Sequence, residues 1–136
     1  MTNITFTACS PALQKQANKF YKKFKTNVSC NRNDSVFCAL NSEQEVIAVT
    51  FIRPIETTDE FLLRSLYVDP DYRSLGVARE LCKMALLQHK SSCFTLCEQG
   101  LMEFYGSLGF IPSEAEFDSA NINKQIKKGL RLLRRP

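Results

Sequence analysis

Residues 66–78 have the sequence LYVDPDYRSLGVA, and this stretch decides how the rest of the chain is interpreted. A short apolar run precedes an Asp-Pro-Asp turn, and a helical period begins near Ser74. The first turn of a helix has free backbone N–H groups and the positive end of the helix dipole. Small residues such as Gly76 and Ala78 let an anionic group approach that backbone closely. The pattern predicts a strand, a turn and an anion site over residues 73–79.

The N-terminal half is predicted to form a strand, a helix and three further strands. Ile4–Ala8 alternates apolar and polar residues, and Ser10-Pro11 is a typical helix start that leads to a helix ending near Lys25. The three following strands are separated by short turns and should form an antiparallel meander: 35–40, 45–55 and 60–68.

The C-terminal half is predicted to alternate helices and strands. A helix from about Ser74 to about His89 precedes a strand over 92–97. A short helix over 101–108 should end at Gly109, which suits the left-handed position after a helix. The remaining segments are predicted to be a strand at 110–112, a helical turn or two over 119–128, and a strand at 130–134.

Two motifs resemble those of the GCN5-related N-acetyltransferases (GNAT). Arg73-x-x-Gly76-x-Ala78 resembles the family's pyrophosphate-binding motif, and residues 104–110, FYGSLGF, look like the end of a second family motif. The order of the predicted elements agrees along nearly the whole chain. The resemblance implies a three-layer α/β/α fold with a mixed, largely antiparallel sheet, and one N-acetyltransferase domain over residues 1–136.

The resemblance also implies roles for individual residues. The coenzyme would be acetyl-coenzyme A, and the amine acceptor would attack its thioester directly, without a covalent enzyme intermediate. Tyr105 matches the general acid that protonates the departing thiolate. The pantetheine arm would pair with the backbone of Leu66, Tyr67 and Val68, where one N–H would polarise the thioester carbonyl. The pyrophosphate would be held by Arg73 and by the backbone N–H groups of Ser74, Leu75, Gly76, Val77, Ala78 and Arg79.

Each role has a structural alternative. On helical spacing alone, Tyr105 would be a core aromatic on an amphipathic helix. Arg73 fits as a solvated surface charge, and Gly76 as a residue that allows close helix–sheet packing. His89, the single histidine, needs only the favourable field at a helix C-terminus to explain its place.

The sequence also departs from the family pattern. Glu98 stands where the family usually has an asparagine that contacts the coenzyme, and no carboxylate occupies the usual place of a general base. Glu60, Glu98 or water remain the candidates for that base. Only residues 11–33 separate the first two strands, where the family often fits two helices. We therefore expect an acceptor side that is either more open or completed by a partner chain.

Charge is unevenly distributed along the 136 residues, whose formal net charge is +4. The terminal segments 1–33 and 124–136 each carry six basic residues and no acidic one, whereas 34–123 holds all fourteen acidic residues. This is not the pattern of a uniformly basic nucleic-acid binder. The acidic middle suggests a cationic amine as acceptor, although solvated helix faces would explain the same charges.

Composition limits the remaining possibilities. No apolar run is long enough to span a membrane, and residues 1–10 do not resemble a signal peptide, so we expect a cytoplasmic protein. Six cysteines are expected to be reduced and mostly buried, and the Cys93–Cys97 spacing with one histidine argues against a metal site. We expect a monomer or homodimer. The alternative to an enzyme is a coenzyme A-binding regulatory module without catalysis.

Overall fold

The computed structural model of the chain describes residues 3–136. Its seven strands are β1 (Thr5–Ala8), β2 (Ser35–Leu40), β3 (Val46–Pro54), β4 (Phe61–Val68), β5 (Cys93–Cys97), β6 (Ile111–Pro112) and β7 (Arg131–Arg135). Its α-helices are α1 (Pro11–Lys23), α2 (Val77–His89), α3 (Met102–Gly106) and α4 (Ala120–Lys127). Short 3₁₀ turns cover Pro70–Tyr72 and Gln99–Leu101.

All seven strands belong to one sheet with the order β1-β2-β3-β4-β5-β7-β6. The strands β1 to β4 are antiparallel to their neighbours, which confirms the predicted meander. β4 and β5 are parallel, and α2 makes the crossover between them. The mixed, largely antiparallel sheet between two helical layers is the predicted fold class.

The helices cover both faces of the sheet. On one face α1 buries Ala17, Phe20 and Tyr21 against β2 and β3, and α4 buries Ile122 against Phe94 of β5. α2 and α3 lie on the other face. Their buried residues share the largest core cluster with the sheet: Val77, Leu81, Cys82, Ala85 and Leu86 from α2, and Tyr105 from α3.

Most predicted elements lie within one to three residues of their observed bounds, and β2 has the predicted ones. The predicted start of α2 at Ser74 is wrong, because the helix begins at Val77. Ser74 and Gly76 have φ angles of 67° and 77°, which no right-handed helix accommodates. Residues 74–76 form a loop ahead of the helix instead.

All six cysteines are free, and all but Cys9 are buried, which confirms the expected mostly buried thiols. No helix within residues 3–136 has the length and apolar character needed to cross a membrane.

Candidate active site between two diverging strands

The parallel strands β4 and β5 diverge after only two paired positions. Leu62 pairs with Phe94 and Leu63 with Thr95, and β4 then continues for five residues without β5 beside it. The Thr95 hydroxyl donates a hydrogen bond of 2.7 Å to the Leu63 carbonyl oxygen, where the pairing ends. A gap therefore opens in the middle of the sheet, between the C-terminal halves of the two strands.

A β-bulge shapes the β4 side of this gap. The register between β3 and β4 shifts beside Ser65, whose φ of 60° is unusual for a residue other than glycine. The Thr50 hydroxyl of β3 donates to the Arg64 carbonyl oxygen at 3.0 Å. The Tyr21 hydroxyl of α1 donates to the Ser65 carbonyl oxygen at 2.6 Å. Side chains from two other elements thus hold the bulge.

The bulge determines which backbone groups face the gap. The Asp69 N–H donates to the Ile47 carbonyl oxygen of β3 at 2.8 Å. Because backbone groups alternate in direction along a strand, the N–H groups of Leu66 and Val68 point away from β3. Tyr67 is paired with β3, and its ring packs on Phe20 and Phe24 of α1. Of the three residues predicted to contact pantetheine, Leu66 and Val68 therefore present their backbone to the gap.

Loss of the Tyr21 hydroxyl should loosen the bulge. We expect Tyr21→Phe to lower the free energy of unfolding by about 1 kcal/mol, because the Ser65 carbonyl loses a short, half-buried hydrogen bond. Urea denaturation followed by circular dichroism measures this change. An unchanged free energy of unfolding would contradict the role of Tyr21 at the bulge.

The loop beyond β4 presents a run of unpaired backbone donors. Within residues 3–136, the N–H groups of residues 74–79 have no protein acceptor, and the Glu80 N–H is the first to find one, the Gly76 carbonyl oxygen at 3.1 Å. α1 and α4 each begin with a serine hydroxyl that caps the helix, from Ser10 and Ser119, but α2 has no side-chain cap. These donors and the positive end of the α2 dipole can bind an anion.

The two arginines of this loop have different surroundings. The Arg73 Nε donates to the Val68 carbonyl oxygen at 3.1 Å, and its guanidinium lies over the Tyr67 ring. Arg73 is thus bent back onto β4, although it remains exposed. The Arg79 guanidinium donates to the Ser107 hydroxyl, next to the end of α3.

The basic C-terminus contributes further positive charge near this loop. The Arg135 Nε donates to the Leu108 carbonyl oxygen at 2.9 Å. Arg135 lines a cavity of about 180 Å³ together with Arg79 and Lys83. The loop lies within the acidic middle of the sequence, but folding places three basic side chains beside it.

Tyr105 lies in the core below the gap. Its side chain is 6% exposed and lies between the rings of Phe104 and Phe110, with centroid distances of 5.0 and 5.7 Å. Burial raises the pKa of Tyr105 above its ordinary value, and the nearby thiols of Cys82 and Cys97 add to this effect. The Thr95 hydroxyl acts in the opposite direction on that pKa by hydrogen bonding. Thr95 lies at the end of the β4–β5 pairing, so Tyr105 can be part of the core and still lie close to the gap.

The two carboxylates considered as general base lie at different ends of the strands. Glu60 precedes β4 at the closed end of the strand pair, near Cys93 at the start of β5, whose pKa is raised chiefly by burial and to a smaller extent by the Glu60 charge. Glu98 directly follows β5 at the open end and is exposed. The structure thus brings Glu98, and not Glu60, to the side of the gap.

Sequence reasoning missed the residues that hold the gap open. Tyr21, Thr50 and Thr95 were not among the predicted site residues. Tyr21 and Ser65 are 44 positions apart, and Thr95 and Leu63 are 32 apart. Local sequence patterns do not predict contacts between residues so far apart in the chain.

The fold and the gap define a class of acyl-group transferases, and comparison with known proteins agrees. A family model described as "Acetyltransferase (GNAT) domain" matches residues 32–112, more than half of the chain. The chain belongs to the GNAT acetyltransferase family, as its motifs predicted. A search of curated protein sequences finds no match.

Solved structures share the fold at low sequence identity. Arabidopsis thaliana Naa50, in complex with the bisubstrate analogue CoA-Ac-MVNAL, has a TM-score of 0.70 and 13% identity over 98% of both chains. The ribosomal-protein-S18-alanine N-acetyltransferase of Escherichia coli has a TM-score of 0.69 and 16% identity, covering 98% of this chain and 94% of its own. A GNAT acetyltransferase of Staphylococcus aureus has a TM-score of 0.64 and 14% identity over 98% of both chains.

Proposed function

We propose that this acetyltransferase, as one domain, transfers the acetyl group of acetyl-coenzyme A directly to a primary amine. The observation that carries this proposal is the run of six unpaired N–H groups at residues 74–79, which lies beyond the end of β4. These N–H groups have no acceptor within the protein, and a diphosphate would supply both acceptor oxygens and a negative charge. The complex of Naa50 with a coenzyme A analogue supports the same substrate in this fold.

The pantetheine arm would continue from that loop into the gap. The N–H groups of Leu66 and Val68 face the space that β5 leaves free, so an extended arm can take the place of a missing strand. One of these N–H groups would donate to the thioester carbonyl oxygen. Such a donor stabilises the negative charge that develops on that oxygen during acyl transfer.

The reaction would then need only positioned groups. The neutral amine attacks the thioester carbon, a C–N bond forms, and the C–S bond breaks with its electron pair on sulfur. Tyr105 donates its proton to the departing thiolate, and the amine proton leaves to Glu98 or water. A thiolate whose conjugate acid has a pKa of about 8.5 is a weaker base than a phenolate, so the proton transfer depends on Tyr105 being placed beside the sulfur.

Two measurements test the proposal. Calorimetry should detect binding of acetyl-coenzyme A, and a thiol reagent should detect free coenzyme A when a broad panel of primary amines is added. Failure to bind acetyl-coenzyme A would contradict the proposal outright. Binding without thiol release from any amine would favour the alternative, a coenzyme A-binding regulatory module.

The pH dependence follows from the raised pKa of Tyr105. Its protonated form, which is the active form of a general acid, persists through the neutral range and beyond pH 10 because burial raises the pKa above that ordinary value. We therefore expect kcat/KM to rise as the acceptor amine loses its proton and then to reach a plateau. A decline with an apparent pKa near 9 would contradict Tyr105 as the acid.

A further inference from the structure

A cavity of about 330 Å³ lies on the face of the sheet that carries α1 and α4. Its floor includes Leu62 and Arg64 of β4, and Arg53 at the end of β3 lies beside them. Residues 119–122, around the start of α4, line another wall. Arg64 lies between the last β4–β5 pair, Leu63 with Thr95, and the Ser65 bulge, so the Arg64 end of the cavity adjoins the place where the two strands diverge. The volume suits a small molecule.

The two arginines of the cavity differ in their partners. Arg53 donates to both carboxylate oxygens of Asp34 at 2.7 Å, and Asp34 is fully buried in this ion pair. Arg64 is half-buried, but its guanidinium makes no salt bridge within residues 3–136. Its recorded contacts are a 3.2 Å hydrogen bond from Nε to the Ser65 hydroxyl and the Phe51 ring at 5.5 Å. Its two terminal nitrogens have no protein acceptor in that part of the chain.

Burial and the neighbouring Arg53 lower the pKa of Arg64, whereas the charge of Asp34 acts in the opposite direction. Asp34 forms its salt bridge with Arg53, so the terminal nitrogens of Arg64 are available to a ligand. An arginine stays charged at neutral pH, so the site favours an anion. The planar fork of terminal N–H groups matches the two oxygens of a carboxylate.

The remaining lining residues indicate that the ligand carries a single negative charge. Glu56 is the one acidic residue among them, and it is exposed at the rim. Its repulsion would disfavour a doubly charged phosphate more than a carboxylate. Ser119 and Asn121 offer further polar groups to a small polar ligand.

We propose that the acceptor is a small amine that also carries a carboxylate, which Arg64 binds in this cavity while the amine faces the thioester. This inference rests on the proposed acetyl transfer and specifies its acceptor. It replaces the cationic acceptor suggested by the acidic middle of the sequence. The acidic residues of that segment are not all at this cavity, since Glu114 and Glu116 line a separate cavity near β6.

The test compares matched acceptors. The probes are the free proteinogenic amino acids, their carboxamides and the corresponding decarboxylated amines, with spermidine and phosphoethanolamine as further probes. Thiol release is measured at saturating acetyl-coenzyme A. At least one amino acid should have a kcat/KM roughly 10- to 100-fold above that of its carboxamide, as expected for charge-assisted hydrogen bonds.

Variants identify the side chain that binds the carboxylate of the acceptor. In Arg64→Gln the preference for the carboxylate over the carboxamide should fall to about one, because the fork that binds the anion is gone. Arg64→Lys, which keeps the charge, should retain part of the preference. Glu56→Gln should lower KM for the amino acid, whereas a cationic acceptor would lose affinity in that variant. Arg32→Gln is the matched control, since Arg32 is exposed and lines none of the cavities described above, and it should change nothing.

The outcomes separate the two proposals. Rapid acetylation of amines with no preference for a carboxylate would overturn this inference and leave the proposed acetyl transfer standing. A preference for spermidine or phosphoethanolamine, or an undiminished preference in a folded Arg64→Gln protein, would also overturn it. If Arg64→Gln does not fold, the opposite signs expected for Glu56→Gln decide the question. No thiol release with any of these probes would overturn this inference, whereas the proposed acetyl transfer is decided by the broader amine panel and by the binding of acetyl-coenzyme A.

Discussion

Replacing Tyr105 by phenylalanine is expected to lower kcat by about 10²- to 10⁴-fold, the usual contribution of a positioned general acid. The affinity for acetyl-coenzyme A should change by no more than about twofold, because the proposed binding relies on the backbone N–H groups of Leu66, Val68 and residues 74–79. Stopped assays of thiol release give kcat, and calorimetry gives the dissociation constant. The separation of the two quantities distinguishes a chemical role from a structural one.

The position of Tyr105 allows this substitution to remove the hydroxyl without changing the packing of the ring. The ring packs between Phe104 and Phe110 in edge-on contacts, and phenylalanine keeps that ring. The core should therefore keep its packing, and the loss falls on the proton donor near Thr95. A buried residue whose hydroxyl had no function would give the same fold and the same kcat.

Tyr72→Phe is the matched control for this experiment. The Tyr72 hydroxyl accepts a 3.1 Å hydrogen bond from the Asn41 side chain and lies outside the gap. Its loss should reduce stability by about 1 kcal/mol and leave kcat unchanged. Equal kcat for Tyr105→Phe and Tyr72→Phe would remove Tyr105 from the role of acid.

Local patterns in the sequence were sufficient to predict most of the helices and strands, whereas the fold class followed from the family resemblance. The strand β2 was predicted with its observed bounds, and the Ser10-Pro11 start of α1 is confirmed by the serine hydroxyl that caps the Leu13 N–H. Gly109 also has the positive φ expected at the end of a short helix, with a φ of 98°. These features depend on residues within one or two turns of each other, which is what periodicity and capping describe.

The active-site gap could not be predicted in the same way. Its shape depends on where β4 leaves β5 and on a bulge held by Tyr21, both of which are contacts between distant parts of the chain. The loop at Ser74 was assigned to the helix because periodicity does not reveal a positive φ at a residue other than glycine. The sequence likewise does not show that Asp34 forms its salt bridge with Arg53 and not with Arg64. Motif resemblance predicted the candidate site, whereas its geometry and the cavity proposed for the acceptor required the structure.

Replacing Gly76 by aspartate is expected to weaken the binding of acetyl-coenzyme A by about 100-fold or more. The new carboxylate would lie at the start of α2 among the donors proposed to bind the pyrophosphate, and like charges in contact cost several kcal/mol. The φ of 77° at Gly76 adds strain, because residues with a side chain rarely adopt it. Calorimetry with acetyl-coenzyme A measures the loss.

Two further variants separate charge from strain. Gly76→Ala imposes the same unfavourable φ without a charge, and a methyl group there would contact no atom within 4 Å. We expect it to weaken binding by only about two- to fivefold, because its effect is limited to about 1 kcal/mol of backbone strain. Gly129→Asp places both strain and charge at a φ of 99° remote from the loop, and it should bind acetyl-coenzyme A normally. If Gly76→Asp also binds normally, the pyrophosphate does not lie on residues 74–79, and the unpaired N–H groups must serve another ligand.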